Sequence, residues 1–312
     1  MLVCDRVLMS NQRTLRRMAH CAGIGLHSGQ KVTLAVKPAP IDHGIRFYRT
    51  DLGGVEIPAR VSHLAGRPQL QTGLVSDRAS VETIEHLLSA LRSLGIDNAS
   101  VELNHPEVPI MDGSAAPWVY LIQDDAGVRE LAAPRKSIQV LRPVQVQQGD
   151  KRIAIYPSDR FKISYTISFD HPLLRHQQKT LDVDEQIFVD EIAPARTFGF
   201  LKEIEMLRQR GLALGGSLEN AIVVGETGVL NPLRFDDEFV RHKILDVIGD
   251  LALVGHPLLG HLVVHRGGHA LHTAFAAELL RQRDCWQFVE TTDVIGLRQP
   301  TTAPAAAAEI RT

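Results

Sequence analysis

The chain has 312 residues, 44% hydrophobic and 22% charged, the composition of a folded globular protein with room for one large or two ordinary domains. A formal net charge of -2 without any run of Lys and Arg excludes nucleic acid as the main partner, and no apolar run approaches the ~20 residues of a membrane span. Cys4, Cys21 and Cys285 form neither a Cys-x-x-Cys pair nor an even framework, and charge interrupts the start too early for a signal peptide, so the cytoplasm is the expected location.

Along the chain, Lys31 to Lys37 alternates with period two and stops at Pro38-Ala-Pro40, the pattern of a half-buried strand. Ser80 to Leu94 reads as a helix, with Ser80 as N-cap and Gly95 as the stop. Its apolar stripe is Ile84, Leu87, Leu88, Leu91 and Leu94. Glu85 and His86 point away from that stripe, on a face otherwise holding the small residues Ser89 and Ser93. Ala99 to Leu103 is a second strand. The polar, Pro-containing segment Leu131 to Lys136 marks a domain boundary, and strands follow over Ser137 to Gln147, Arg152 to Tyr156 and Phe161 to Phe169. An amphipathic helix is expected around Phe200 to Gln209, a Gly-Gly-Ser loop at 215–217, and a long helix from about Asp237 to Val254. The tail from Gln299 has nothing to pack with and is expected to be disordered.

In the long helix Val240, Ile244, Val247, Ile248 and Leu251 make the packing stripe, while His242, Asp246 and Asp250 stack on the opposite face at i, i+4, i+8. That spacing lets His242 and Asp246 hold one ion, and it equally describes an ordinary surface ion pair. Phe239, Gly249 and Leu253 share the face, which is odd for a solvated one. Two imidazoles and a carboxylate with Glu85 beside one imidazole are what a hydrolytic metal centre requires. No His-Glu-x-x-His motif is present, so such a centre must be assembled from both halves of the chain. His256, His261, His265, His269 and His272 fall within 17 residues. His269 follows an apolar strand and Gly267-Gly268, at a strand-to-helix turn; most of the others read as exposed or satisfied histidines.

These segments match a known pattern. From about Gln12 to Leu280 the chain resembles the UDP-3-O-acyl-N-acetylglucosamine deacetylases, zinc enzymes of lipid A biosynthesis in Gram-negative bacteria. The carriers are Gly23 to Gly29 (GIGLHSG), Thr83 to Leu87 (TIEHL), Pro109 to Pro117 (PIMDGSAAP), Ala195 to Gly199 (ARTFG), Gly215-Gly-Ser217, Phe239 to Asp246 (FVRHKILD) and Gly268 to Leu271 (GHAL).

The resemblance implies an α+β protein of two similarly folded α/β sandwich domains, each a sheet layered with helices, with the active site at their interface. The expected division is an extension over 1–11, domain I over 12–130 supplying Glu85 and His86, domain II over 137–298, and the tail 299–312. By the same resemblance His86, His242 and Asp246 hold one zinc per chain, with iron(II) acceptable to the same donors. Glu85 is then the general base and His269 the general acid, kept charged by Asp250. Thr197 helps bind the oxyanion, and Lys243 lies near polar groups of the substrate. Leu26, Phe198, Phe200, Gly216, Ser217 and Arg266 contact the substrate, and an insert containing Phe198, Phe200, Leu201, Ile204, Leu207, Leu212 and Leu214 encloses its acyl chain. The implied reaction removes the N-acetyl group as acetate from UDP-3-O-acyl-N-acetylglucosamine, the committed step of lipid A biosynthesis, in a cytoplasmic monomer.

Two departures stand out. Arg266-Gly267 replaces the usual lysine and serine before Gly-His, and about eight residues precede the family's usual start, leaving Met1 and Met9 as alternative starts. A related hydrolase acting on another acylated amino sugar, and a non-catalytic lipid or nucleotide-sugar binder, are the competing readings; the second requires a broken metal set, and every member is present.

Overall fold

The computed structural model describes residues 10–66 and 70–290. Met9 and the tail from Gln299 lie outside the described residues. The first half holds β1 (Asn11–Leu15), β2 (Ala19–Ile24), β3 (Lys31–Pro38), β4 (Ile45–Arg49), β5 (Val55–Pro58), β6 (Gly73–Ser76), β7 (Ala79–Glu82), α1 (Glu85–Ser93), β8 (Ala99–Leu103), α2 (Ala116–Tyr120) and β9 (Val128–Pro134). Five strands form one sheet in the order β2-β3-β8-β4-β5, with only β4 and β8 parallel. The alternation read in Lys31 to Lys37 is real: Val32, Leu34 and Val36 are buried while Lys31 and Thr33 face solvent.

The second half holds β10 (Lys136–Val140), β11 (Val144–Gln148), β12 (Lys151–Tyr156), β13 (Phe161–Ile167), β14 (Gln177–Asp182), α3 (Glu185–Ile187), β15 (Phe198–Phe200), α4 (Leu201–Gln209), β16 (Ile222–Val224), α5 (Glu238–Leu251), β17 (Leu258–His265), α6 (His269–Arg281) and β18 (Trp286–Glu290). Seven of these strands form the second large sheet, organised on β17. That strand pairs with β10 through its first two residues, and with β12 and β13 on either side of the rest. Its apolar run Leu262-Val-Val264 suits a strand flanked on both edges. Helix α5 packs on β13 and β14, and α6 on β11 and β12. The protein is α+β, as expected.

Two local expectations are corrected. The helix does not start at Ser80: Ala79–Glu82 is β7, which forms a hairpin with β6 across Asp77-Arg78. Ala79 and Val81 are buried there on alternate positions, and the helix begins only at Glu85. The boundary segment Leu131 to Lys136 runs from β9 directly into β10, and β9 pairs with β1. Asn11, assigned to the extension, opens β1. Glu85, His86, His242, Asp246 and Asp250 lie on no solvated face, which sets aside the alternative of a surface ion pair. Helices α1 and α5 pack against each other, and all five side chains are buried.

Candidate active site and metal centre

The packing of α1 on α5 brings the two sequence segments together. His86 Nε2 lies 3.8 Å from Asp246 Oδ1, and His242 Nε2 lies 3.3 Å from the same oxygen. The three donor atoms fall within 4.8 Å of one another, and each residue is buried. His242 Nδ1–H donates to the Ala195 carbonyl at 3.0 Å, which leaves the Nε2 lone pair facing its partners. Burial, reinforced by His242, lowers the His86 pKa to about 3; burial likewise lowers that of His242. Neutral imidazoles are the ligand form. Asp246 stays ionised despite its burial because His242 and Lys243 hold its pKa well below the usual range, and its other oxygen accepts from Lys243 Nζ at 2.7 Å. Two neutral imidazoles and one carboxylate, converging and buried, fit a zinc or iron(II) ion.

Glu85 and His269 meet beside this set, with Oε1 and Nε2 3.7 Å apart. Burial raises the Glu85 pKa to about 7, with Asp250 and Asp246 adding to the effect and His269 opposing it. His269 opens α6, where burial and the positive end of the helix both disfavour a charged ring. Asp250, Glu85 and Asp246 overcome this and raise its pKa to about 9. Its Nδ1–H donates to Asp250 Oδ2 at 2.9 Å. At neutral pH the pair therefore offers a carboxyl group that takes up a proton and an imidazolium that gives one away.

The backbone leading into α1 is unusual. Thr83 has φ 56°, a left-handed conformation that β-branched residues rarely adopt. Its hydroxyl donates to Gln71 Oε1 at 2.6 Å and lies 3.0 Å from Glu107 Oε1. The buried Glu107 carboxylate in turn accepts the backbone N–H groups of His27 and Ser28, both at 2.8 Å. One carboxylate thus anchors both the entry to α1 and the Gly23–Gly29 loop.

A cavity of about 480 Å³ opens onto this chemistry. Glu85, His86, His242, Asp246 and His269 line it together with Lys243, Thr197, Leu26, Phe198, Phe200, Gly216 and Ser217. The remaining wall is largely apolar, from Phe169, Ile204, Leu207 and Leu218 among others. Among the described residues the Thr197 hydroxyl has no protein hydrogen bond, so it is free for a ligand. Lys243 sits 5.6 Å from the Phe198 ring centroid. Leu212, Leu214 and Arg266 are not part of the lining; Arg266 pairs with Asp150 instead. Asp250 lies one layer behind, touching the site through His269.

Thr72 was not singled out from the sequence. Its N–H donates to Glu85 Oε2 at 3.1 Å, its hydroxyl donates to Asp250 Oδ1 at 2.5 Å, and the same hydroxyl lies 3.2 Å from His269 Nδ1. It touches Glu85, Asp250 and His269 at once. His272, read as an ordinary histidine, is also wholly buried, with Nδ1–H donating to Asp250 Oδ2 at 2.9 Å. Asp250, His269 and His272 form a second converging group, yet three hydrogen bonds already hold the carboxylate, so hydrogen bonding accounts for the group without an ion.

A family model described as UDP-3-O-acyl N-acetylglycosamine deacetylase matches residues 12–281. A UDP-3-O-acyl-N-acetylglucosamine deacetylase of Pseudomonas entomophila (strain L48) is 53% identical over 286 residues, covering 90% of this chain and 94% of that protein. The protein of the same name from Acidithiobacillus ferrooxidans is 50% identical over 287 residues, with the same coverage of each.

Proposed function

The chain belongs to the UDP-3-O-acyl N-acetylglycosamine deacetylase family, and on that premise we propose how its residues divide the reaction between them. The protein is a hydrolase that releases acetate from UDP-3-O-acyl-N-acetylglucosamine in lipid A biosynthesis. His86, His242 and Asp246 hold one metal ion per chain, zinc in our reading, with iron(II) as the alternative. A bound zinc supplies Lewis acidity, lowering the pKa of water towards ~7 and polarising the acetamide carbonyl.

The observation that carries the reading is the pairing of Glu85 with His269, 3.7 Å apart at the wall of an apolar cavity beside the donor set. Glu85 Oε1 takes a proton from the attacking water as the new C–O bond forms. The Thr197 hydroxyl, free of protein partners, donates to the oxygen on which charge builds. As the C–N bond breaks, His269 gives its Nε2 proton to the departing nitrogen, because an amide anion is a very poor leaving group. Asp250 keeps that imidazole charged and oriented. Lys243 adds a positive charge beside the polar end of the cavity.

Leu26, Phe198, Phe200, Gly216 and Ser217 line the path of the sugar and its acyl chain in this reading, with Ile204 and Leu207 extending the apolar wall. Arg266 serves the diphosphate by exchanging Asp150 for phosphate oxygens. The elements from β1 to β9 and those from β10 to β18 act as two domains, each contributing to the site. Free Cys21 and Cys285 support a cytoplasmic location, and we propose a monomer, which light scattering tests. Among the described residues no helix is long and apolar enough to cross a membrane.

Acetate release is the test. Purified Glu85→Gln should keep its metal and lose roughly two to four orders of magnitude in rate. Near-wild-type turnover in that variant refutes the assignment. Substrates lacking the UDP or the 3-O-acyl group separate this activity from that of a hydrolase for another acylated amino sugar.

A further inference from the structure

Behind Asp250 runs a polar chain that the reaction above does not use. Tyr165 on β13 and His272 in the first turn of α6 are both 0% exposed. Tyr165 Oη lies 2.9 Å from His272 Nε2, and His272 Nδ1 lies 2.9 Å from Asp250 Oδ2. Asp250 is a carboxylate and can only accept, so His272 carries its proton on Nδ1. Its Nε2 is then the acceptor for the Tyr165 hydroxyl. Every polar atom of this chain finds a partner, and each choice of donor follows from the one before.

The main chain makes room for the pair. A Cβ at Gly267 would lie 2.6 Å from Tyr165 Oη and 2.7 Å from His272 Nε2. No other residue fits there while the two rings stay where they are. Glycine therefore fits this position, where Val264 Cγ1, at 2.5 Å, and the Tyr165–His272 hydrogen bond occupy the place of a Cβ.

The consequence falls on Asp250. Its Oδ2 accepts from two Nδ1–H groups, those of His269 and His272, and its Oδ1 accepts from Thr72. Held by three donors, two from α6 and one from Thr72 ahead of β6, the carboxylate cannot rotate. His269 is left one orientation, Nδ1–H on Asp250 and Nε2 in the cavity. We propose that His272, backed by Tyr165, is a positioning residue that fixes Asp250 and through it the ring of His269.

The proposal rests on His269 being the general acid. Its test uses the full-length, metal-loaded enzyme and measures kcat and KM in the wild-type and His269→Ala backgrounds. His272→Leu should lose roughly ten- to a hundredfold in kcat, the usual scale for groups behind a functional ligand, with KM little changed. His272→Asn, whose amide N–H can donate to Asp250, should regain most of that. In the His269→Ala background His272→Leu should cost nothing further. An unchanged kcat in His272→Leu overturns the proposal, as does an equal loss with and without His269. Where the leucine variant does not fold, Tyr165→Phe, which removes one oxygen, decides by the same comparison. Wild-type turnover in His269→Ala alone overturns the underlying acid assignment, and the proposal with it.

Discussion

Gly249 of α5 lies directly against the first turn of α1, where a Cβ on it would come 2.0 Å from the Glu85 carbonyl oxygen. Glycine in a helix interior costs about 1 kcal/mol relative to alanine, so its presence here reflects the need for contact. Asp246 stands three residues before Gly249 and His86 one after Glu85, so this approach sets the distance between donors from the two helices. Gly249→Ala must push the helices apart. We expect a stability loss of about 1–3 kcal/mol, typical of overpacking, together with weaker metal retention. Thermal unfolding and metal analysis of the same preparation check this; an unchanged melting temperature with full metal content would contradict the contact.

Thr72 joins the two halves by a different route, through hydrogen bonds to Glu85 and Asp250. Thr72→Val keeps the shape and removes the hydroxyl, which leaves Asp250 Oδ1 short of a donor in a buried setting. The penalty for such an oxygen is about 1–3 kcal/mol. Because Asp250 orients His269, the loss should appear in kcat rather than in KM, and Thr72→Ser should keep most of the activity. Equal kinetics for the valine and wild-type proteins would remove Thr72 from the site.

The alternation of β3, the apolar run of β17 and the heptad-like stripe of α5 are local signals, and all three elements form. The convergence of His86 with His242 and Asp246 rests on the pairing of chemistries, and the packing of α1 on α5 realises it. The hairpin before α1 was missed because four residues of alternation at Ala79–Glu82 are too few to outweigh the helical stripe that follows. β9 is not legible as a strand because Leu131-Ala-Ala-Pro lacks β-branched residues; its partner, β1, lies at the other end of the half. Thr72 gave no signal at all. Its importance comes from contacts with residues 13 and 178 positions away, and nothing in its neighbours announces them. His272 was visible only as one histidine among five.

The titration of the site predicts a bell-shaped pH dependence of kcat/KM. Activity should rise as Glu85 loses its proton, near a pKa of about 7 in the protein alone. A bound dication favours the carboxylate, so the acid limb of the loaded enzyme should lie lower. Activity should fall as His269 loses its proton, near about 9. Asp250 is the foremost of the groups raising that pKa, so Asp250→Asn must move the alkaline limb to lower pH. An alkaline limb that stays in place would separate Asp250 from the acid.

Metal removal should be felt in stability as well as in rate. Without the ion, buried Asp246 relies on Lys243 Nζ, 2.7 Å away, as its nearest full positive charge, and the lone pairs of two neutral imidazoles face it. A ligand that binds only the folded state stabilises it by RT ln(1 + [L]/Kd), about 2.7 kcal/mol at a hundredfold excess over Kd. Chelation should therefore abolish acetate release and lower the melting temperature, and zinc or iron(II) should restore both. His86→Ala should abolish the response to added metal, because two donors from α5 remain and the third is gone. Glu85→Gln should keep that response while staying inactive, since Glu85 lies beside the donor set without belonging to it. The contrast between these adjacent positions separates a ligand from a base. A Glu85→Gln protein whose melting temperature no longer responds to zinc would place Glu85 among the ligands instead.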